Sequence, residues 1–173
     1  MTTNRNPCYN RLINPAYNHM INPAYNHMIN PVYNHMINPV YNHMINPVYN
    51  HMINPVYNHM INPAYNHMIN PVYNRLINPL YNTQINPRVQ MDIPGLYLFG
   101  WNGAHVGFTV RATEGFCLVY DLNHVLCSFF VETKSNVSLQ FDQTMQWIGT
   151  WVANGNGGYN IYDSNLTLTG YTT

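Results

Sequence analysis

An eight-residue phrase, Asn-Pro-x-Tyr-Asn-His-Met-Ile, repeats from Asn6 to Val89 and constrains this chain more than any other feature. Its prolines fall at every eighth residue from Pro7 to Pro87, eleven in register. Because Pro presets φ for a turn and Asn bonds its own backbone, each octad predicts one corner followed by a short apolar segment that ends in Met-Ile. An array this regular indicates either a stacked structure or a multivalent ligand.

The array has two alternative structures. In one, two octads form each coil of a solenoid, and equivalent Asn, Tyr and Ile side chains form ladders at about the 4.8 Å separation of neighbouring strands. In the other, a proline at every eighth position leaves the segment extended or disordered, as a spacer. One Tyr and one Met-Ile or Leu-Ile pair per octad is more apolar than an ordinary linker, which favours the ordered form.

The two halves of the chain carry opposite charge. Residues 1–90 contain four arginines and no acidic residue, whereas residues 91–173 contain all six acids and only two basic residues. The halves could therefore attract one another or a neighbouring copy. Four scattered arginines are not a nucleic-acid footprint, so we expect no nucleic-acid partner.

No stretch of the sequence is typical of export or of membrane insertion. The first residues lack the apolar run of a signal peptide, and no window approaches the roughly 20 apolar residues of a membrane span. We therefore expect a cytoplasmic protein without a membrane span.

Seven histidines, from His19 to His67, recur at every eighth position, and each precedes a methionine. Stacked imidazoles and thioethers would suit a soft or borderline metal. Arginine takes this position at Arg11 and Arg75, and threonine takes it at Thr83, a change that no metal site tolerates. The pattern therefore predicts an exposed, permissive position, and we expect no metal and no cofactor.

A second period, of 21 residues, is visible in residues 96–173 once the aromatic residues are aligned. The aromatic positions are Phe99, Tyr120, Phe141 and Tyr162, and the next residue in each unit is Gly100, Asp121, Asp142 and Asp163. Each unit predicts a short strand, a turn opened by Asp or Gly, and a second strand, as in residues 117–120 and 125–131. Four units give eight short antiparallel strands, and closing them into a ring removes two exposed edges.

The predicted fold is therefore all-β: a small four-fold symmetric β-barrel of four hairpins that follows the octapeptide-repeat array. We place the array at residues 1–90 and the barrel at residues 96–173. A hinge at residues 91–95 separates them, because Pro94-Gly95 is a strong turn pair.

Two sets of equivalent residues in the barrel are candidate binding residues, on a channel or on a rim. One small residue per unit predicts close backbone approach around the barrel axis, at Gly107, Ser128, Gly149 and Gly170. Asp121, Asp142 and Asp163 would lie together on one rim. They could hold a cation or a basic partner, but turn-forming carboxylates that accept local backbone N–H groups are the simpler interpretation.

The four units, each with an apolar residue, Tyr or Phe, then Asp and a later small residue, resemble the four-fold β-flower proteins over residues 96–173. The resemblance implies a small symmetric barrel with an apolar central channel and no established biochemical activity. Its likeness to tubby-like and scramblase-like barrels implies lipid contact by analogy of fold alone. The sequence departs from the pattern at Gly100, where Asp would be expected, and at Thr150, where other units have Phe or Tyr.

A rival resemblance is confined to residues 159–171, which look like one unit of the choline- or glucan-binding cell-wall repeats. Those repeats bind choline between aromatic side chains. Against it, Trp101, Trp147 and Trp151 do not occupy repeating positions, and no export signal is present.

No residue set in the sequence predicts catalysis. No serine or cysteine has a repeat-related base, and no acid pair is distinguished from its equivalents in the other units. The sequence therefore predicts a non-enzymatic scaffold or interaction protein, whose array is a stalk or a multivalent surface capped by the barrel. Its partner would be another protein or a second copy. The alternative is a protein that binds a lipid or another hydrophobic small molecule in the barrel's channel.

Overall fold

The computed structural model describes residues 7–173 and places eight β-strands in the second half of the chain. They are β1 (Tyr97–Gly100), β2 (His105–Thr113), β3 (Phe116–Asp121), β4 (Leu126–Glu132), β5 (Val137–Asp142), β6 (Trp147–Ala153), β7 (Tyr159–Asp163) and β8 (Leu168–Thr172). Each strand pairs antiparallel with the next, and β8 pairs with β1, so the sheet closes into a barrel. The prediction of an all-β fold with a closed eight-stranded antiparallel barrel is confirmed.

Large side chains from strands that are not neighbours meet inside the barrel. The ring of Phe130 on β4 lies 4.6 Å from that of Trp151 on β6 and 5.8 Å from that of Tyr159 on β7. Only the interior of a closed sheet brings such strands together. Trp151 is fully buried there and donates from Nε1 to Gln140 Oε1 at 2.8 Å, and burial raises the pKa of the Cys117 thiol in the same cluster to about 12.

The alternate residues of the strands form an apolar outer surface on the barrel. Phe116, Phe129 and Phe141 lie on three neighbouring strands, with ring centroids 5.1 Å and 5.9 Å apart in succession. Although these side chains point away from the barrel axis, each is at most 1% exposed. Another part of the chain must therefore cover them.

The octad array supplies that cover. Its isoleucines belong to the same hydrophobic cluster as the outward-facing aromatic residues: Ile45, Ile53, Ile77 and Ile85 are buried members, and Ile13, Ile37, Ile61 and Ile69 pack against it. The isoleucines of the array thus find their apolar contacts on the barrel rather than within the array alone.

Hydrogen bonds fix the path of the array around the barrel. Side chains of β7, and of Thr173 just after β8, donate to the early carbonyls of Ile13, Ile29 and Ile37 at 2.9–3.3 Å. On the opposite side, Tyr120 of β3 donates to the Ile85 carbonyl at 3.4 Å. Because β3 and β7 lie four places apart in a closed ring of eight strands, the array reaches opposite sides of the barrel.

Residues 7–90 form a series of tight turns. Their regular elements are single-turn 3-10 helices, Pro7–Tyr9, His35–Ile37, His59–Ile61, His67–Ile69 and Thr83–Ile85. This differs from both predicted alternatives, since the described part of the array contains no strand ladder and its inner side chains are packed rather than solvated. The division into an array at 1–90, a hinge at 91–95 and a barrel at 96–173 stays a prediction.

Two buried threonines of the barrel predict opposite effects of the same substitution. Thr150 Oγ1 is buried without a hydrogen-bond partner among residues 7–173, whereas Thr109 Oγ1 accepts from the Leu96 N–H at 2.8 Å. Leaving a buried polar group unpaired costs about 1–3 kcal/mol. We therefore expect Thr150→Val to raise the free energy of unfolding by about 1 kcal/mol and Thr109→Val to lower it by about 1 kcal/mol. Urea unfolding measures both, and a loss of stability in both variants would contradict the expectation.

Candidate functional site

Each octad contains two asparagines, and the first organises the turn at the proline. In the octad that begins at Asn46, Oδ1 accepts from the Val48 N–H at 2.9 Å. The Asn46 carbonyl accepts from the N–H groups of Tyr49 and Asn50 at 3.1 and 2.9 Å. Its Nδ2 donates to the carbonyl of Pro39, one octad earlier, at 2.8 Å. One side chain therefore caps its own turn and ties it to the preceding one.

The second asparagine does the same for the turn that ends in Met-Ile. Asn50 Oδ1 accepts from the Met52 N–H at 3.1 Å, and its Nδ2 donates to the Met44 carbonyl at 2.6 Å. The Asn50 carbonyl accepts from the Ile53 N–H at 3.1 Å. These bonds need no neighbouring strand, so asparagines at this spacing hold the array in shape without a sheet.

The turns divide the array into two faces. The inner face, formed by Ile, the first Asn and Pro of each octad, lies toward the barrel and is largely buried. The outer face is formed by the variable residue, Tyr, His and Met. Its tyrosines from Tyr17 to Tyr81 are 61–64% exposed, and its methionines from Met20 to Met68 are 67–78% exposed. The outer face is therefore a long surface rich in exposed apolar and aromatic groups.

Histidine and tyrosine stack in register along the outer face. Each histidine ring lies parallel to the tyrosine ring of the following octad, with centroids 4.0–4.2 Å apart and interplanar angles of 13–25°. The seven pairs run from His19–Tyr25 to His67–Tyr73. Each stack links two octads at the surface, as the asparagines do beneath it.

The departures from histidine preserve this stacking. The Arg11 guanidinium lies 5.3 Å from the ring centroid of Tyr17, and that of Arg75 lies 5.0 Å from the ring centroid of Tyr81. A flat guanidinium replaces a flat imidazole on the same aromatic partner. Thr83 is the one residue at the histidine position that cannot stack, and the residue six positions later is Val89 instead of a tyrosine.

Histidine therefore recurs because it covers a tyrosine, which is a more specific requirement than the permissive position that the sequence predicts. The signal was present in the sequence, since His or Arg is lost only where Tyr is lost six residues later. Within residues 7–173, no group of three or more His, Cys, Asp or Glu side chains is arranged to hold a metal ion.

The four predicted small residues occupy equivalent places in the even-numbered strands. A Cβ added at Gly107, Gly149 or Gly170 would lie 2.2–2.6 Å from a backbone carbonyl oxygen of the neighbouring strand, which leaves no room for a side chain. Ser128 is buried and its Oγ accepts from Gln140 Nε2 at 2.7 Å. Close backbone approach is thus a contact between adjacent strands, and a binding role for these residues stays a prediction.

The three aspartates each open a turn between paired strands. One carboxylate oxygen accepts from the backbone N–H groups two and four residues later, at 2.8–2.9 Å, in Asp121, Asp142 and Asp163. The third residue after each aspartate has a positive φ, of 60°, 67° and 61° at His124, Met145 and Leu166. The carboxylates therefore bond their own turns, and a role in binding a cation or basic partner stays a prediction.

These bonds predict a loss of stability in acid. The pKa of Asp121 is lowered chiefly by the Val125 N–H, and that of Asp142 chiefly by the Thr144 hydroxyl. A lowered pKa in the folded state gives stability that is present above the unfolded value, about 3.9, and is lost as the pH falls through the folded value. We expect the thermal midpoint to fall below about pH 4, and to fall less steeply in the Asp121→Asn/Asp142→Asn variant. Identical acid profiles would contradict this role.

Sequence reasoning missed the barrel residues that hold the array. Asn160 is fully buried and donates from Nδ2 to the Ile29 carbonyl at 2.9 Å, and Asn156 donates to the Met20 carbonyl at 3.1 Å. The one signal for Asn160 was its polarity at a place where the other units have Tyr97, Leu118 and Leu139.

Comparison with known proteins gives no identification. No family model, no curated protein and no solved structure matches the chain. The β-flower resemblance therefore stays a prediction. No helix in residues 7–173 has the length and apolar character that crossing a membrane requires.

Proposed function

We propose that this chain is a non-enzymatic interaction protein whose outer array face is a multivalent protein-binding surface. The observation that carries the proposal is the exposure of Tyr, Met and a stacked His at eight-residue intervals along the face. Exposed apolar patches of this kind are typical of interaction sites, and Tyr and Met are enriched in interfaces.

The repetition itself favours a partner that engages several octads at once. Equivalent epitopes on one chain raise avidity without any new contact. The asparagine hydrogen bonds and the underlying barrel hold these epitopes in place. Binding therefore costs less conformational entropy than binding by a disordered repeat would. The contacts of the array with β3 and β7 favour a surface of this kind over a stalk.

For the barrel, we propose a four-fold β-flower-like scaffold. Support comes from the equivalent turns at Asp121, Asp142 and Asp163 and from the crowded glycines at equivalent places. The barrel then serves as the support on which the array packs. The buried rings of Phe130 and Trp151 give no support to the alternative, a hydrophobic ligand in the barrel's channel.

Site-specific photocrosslinking in the native cell tests the proposed function. A benzophenone amino acid replaces Met44 on the outer face, which is 75% exposed, and in a matched control it replaces Leu122 in a barrel turn, which is 51% exposed. We expect a discrete crosslinked partner, or a crosslinked second copy, from position 44 and none from position 122. Replacing Tyr33, Tyr41 and Tyr49 with Ser should reduce that product stepwise.

The proposal is contradicted if position 44 gives no crosslinked product or if positions 44 and 122 give the same products. The tyrosine substitutions leave the inner face unchanged, so a retained thermal midpoint would show that any loss of crosslinking reflects the surface rather than the fold.

A further inference from the structure

A cleft of about 430 Å³ lies between the last octads of the array and the barrel. Its array side includes Pro79, Leu80 and Arg88, and its barrel side includes Tyr120 and Phe129. The walls are predominantly apolar, with one charged side chain among them. Small-molecule sites commonly combine an apolar cavity of this size with a few fixed polar groups.

The array departs from its own pattern where it lines this cleft. The variable position after proline is Ala or Val from Ala16 to Val72, but it is Leu80 and then Arg88 in the last two of the three octads that line the cleft. Both residues line the cavity. Leu80 thus supplies a larger apolar group and Arg88 a cation at the cleft, and no other octad of the array has either residue at this position.

Arg88 is held in place at the edge of the cleft. Its Nε donates to the carbonyl of His124, in the turn between β3 and β4, at 3.1 Å. That bond uses one of the five N–H donors of a guanidinium, and the planar group suits a carboxylate. Within residues 7–173 the one ion pair joins Arg111 and Glu132, so Arg88 has no carboxylate partner within 4.0 Å.

Arg88 helps to lower the pKa of one acidic group, the carboxyl of Asp121. Its carboxylate accepts from the N–H groups of Asn123 and Val125 and is therefore committed to its turn. Asp121 does not line the cleft, where the remaining polar groups are the side-chain amides, His124 and the Tyr120 hydroxyl. The cleft is therefore apolar in its depth and cationic at one edge.

We propose that this cleft binds a small amphipathic carboxylate, with its carboxylate on Arg88 and its apolar body against the partly exposed side chains of Leu80, Leu126 and Met145. This site lies outside the barrel, at the seam between array and barrel. It shares with the outer face only the variable positions Val72, Leu80 and Arg88 and none of the array's Tyr, His or Met side chains, so either proposal can fail without the other.

Calorimetric titration of the full chain with decanoate tests the site, with decanol as the uncharged counterpart. We expect saturable binding of one decanoate per chain and weaker binding of decanol. Arg88→Gln should weaken decanoate binding by about tenfold or more, because it removes a charge-assisted bond. It should leave decanol binding nearly unchanged.

Two further variants exclude trivial explanations. Arg75→Gln removes an arginine two octads earlier that stacks on Tyr81 instead of lining the cleft, and it should bind decanoate as the wild type does. Val125→Trp fills the cleft from a partly exposed position and should abolish binding of both probes.

The proposal is overturned if decanoate shows no saturable binding, if Arg88→Gln and Arg75→Gln weaken binding equally, or if Val125→Trp binds both probes normally. Thermal unfolding of each variant in parallel establishes that binding is compared between folded proteins.

Discussion

Ile53→Ala is expected to lower the free energy of unfolding of the barrel by about 2–5 kcal/mol, although Ile53 lies in the middle of the octad array. Ile53 is 1% exposed and belongs to the same hydrophobic cluster as Leu139 and Phe141 of β5. Truncation of this side chain would leave a cavity between the array and the barrel. Tryptophan fluorescence in urea measures the effect, because all three tryptophans lie in the second half of the chain.

The matched control for this prediction is the preceding residue. Met52 is 72% exposed on the outer face, and Met52→Ala should change the unfolding free energy by less than about 0.5 kcal/mol. If Ile53→Ala left the tryptophan-monitored midpoint at its wild-type value, the array would not stabilise the barrel, and the packing described above would be wrong.

Trp151→Ala is expected to destabilise the chain by about 3–5 kcal/mol. Trp151 is fully buried inside the barrel, where its ring packs on Phe130 and its Nε1 donates to Gln140. The substitution removes the largest interior side chain and leaves the Gln140 oxygen without that donor. Thermal unfolding followed by far-ultraviolet circular dichroism measures the loss.

Trp101→Ala is the control for the interior. Trp101 lies in the turn after β1 and is 37% exposed, so its truncation should cost much less. Equal losses in the two variants would mean that Trp151 does not occupy a specifically packed interior position.

The barrel could be predicted from the sequence because its signals are local. Asp121, Asp142 and Asp163 each open a turn within their own unit, and each is the last residue of its strand. The number of strands follows from counting units, and closure follows from avoiding exposed edges. Those arguments do not depend on any distant part of the chain.

The position of the array could not be predicted, because its partner surface is created only when the barrel closes. Phe116, Phe129 and Phe141 lie within runs of buried residues on β3, β4 and β5, and such runs do not reveal which face of a strand is inside. Inside, the alternate residues Phe130 and Trp151 are equally apolar. A strand that is apolar on both faces indicates a covering layer, and the array was the one segment available to form it.

The candidate binding residues of the barrel stay a prediction, and the proposed cleft could not be predicted from the sequence. The candidate rim and small residues stand out by repetition, yet repetition here reflects turn formation and backbone crowding. Arg88 and Leu80 stand out by breaking a repeat, and only the folded chain brings them to one cleft. In a repetitive chain, the irregular positions are the better guide to a site.

Cleavage of the chain between array and barrel shows whether the array is held by its packing on the barrel. A protease site inserted after Met91, which is 61% exposed, allows the folded chain to be cut between array and barrel. We expect the two fragments to elute together as one particle in native size-exclusion chromatography and to separate only in denaturant. Separate elution of a folded barrel fragment in native buffer would contradict it.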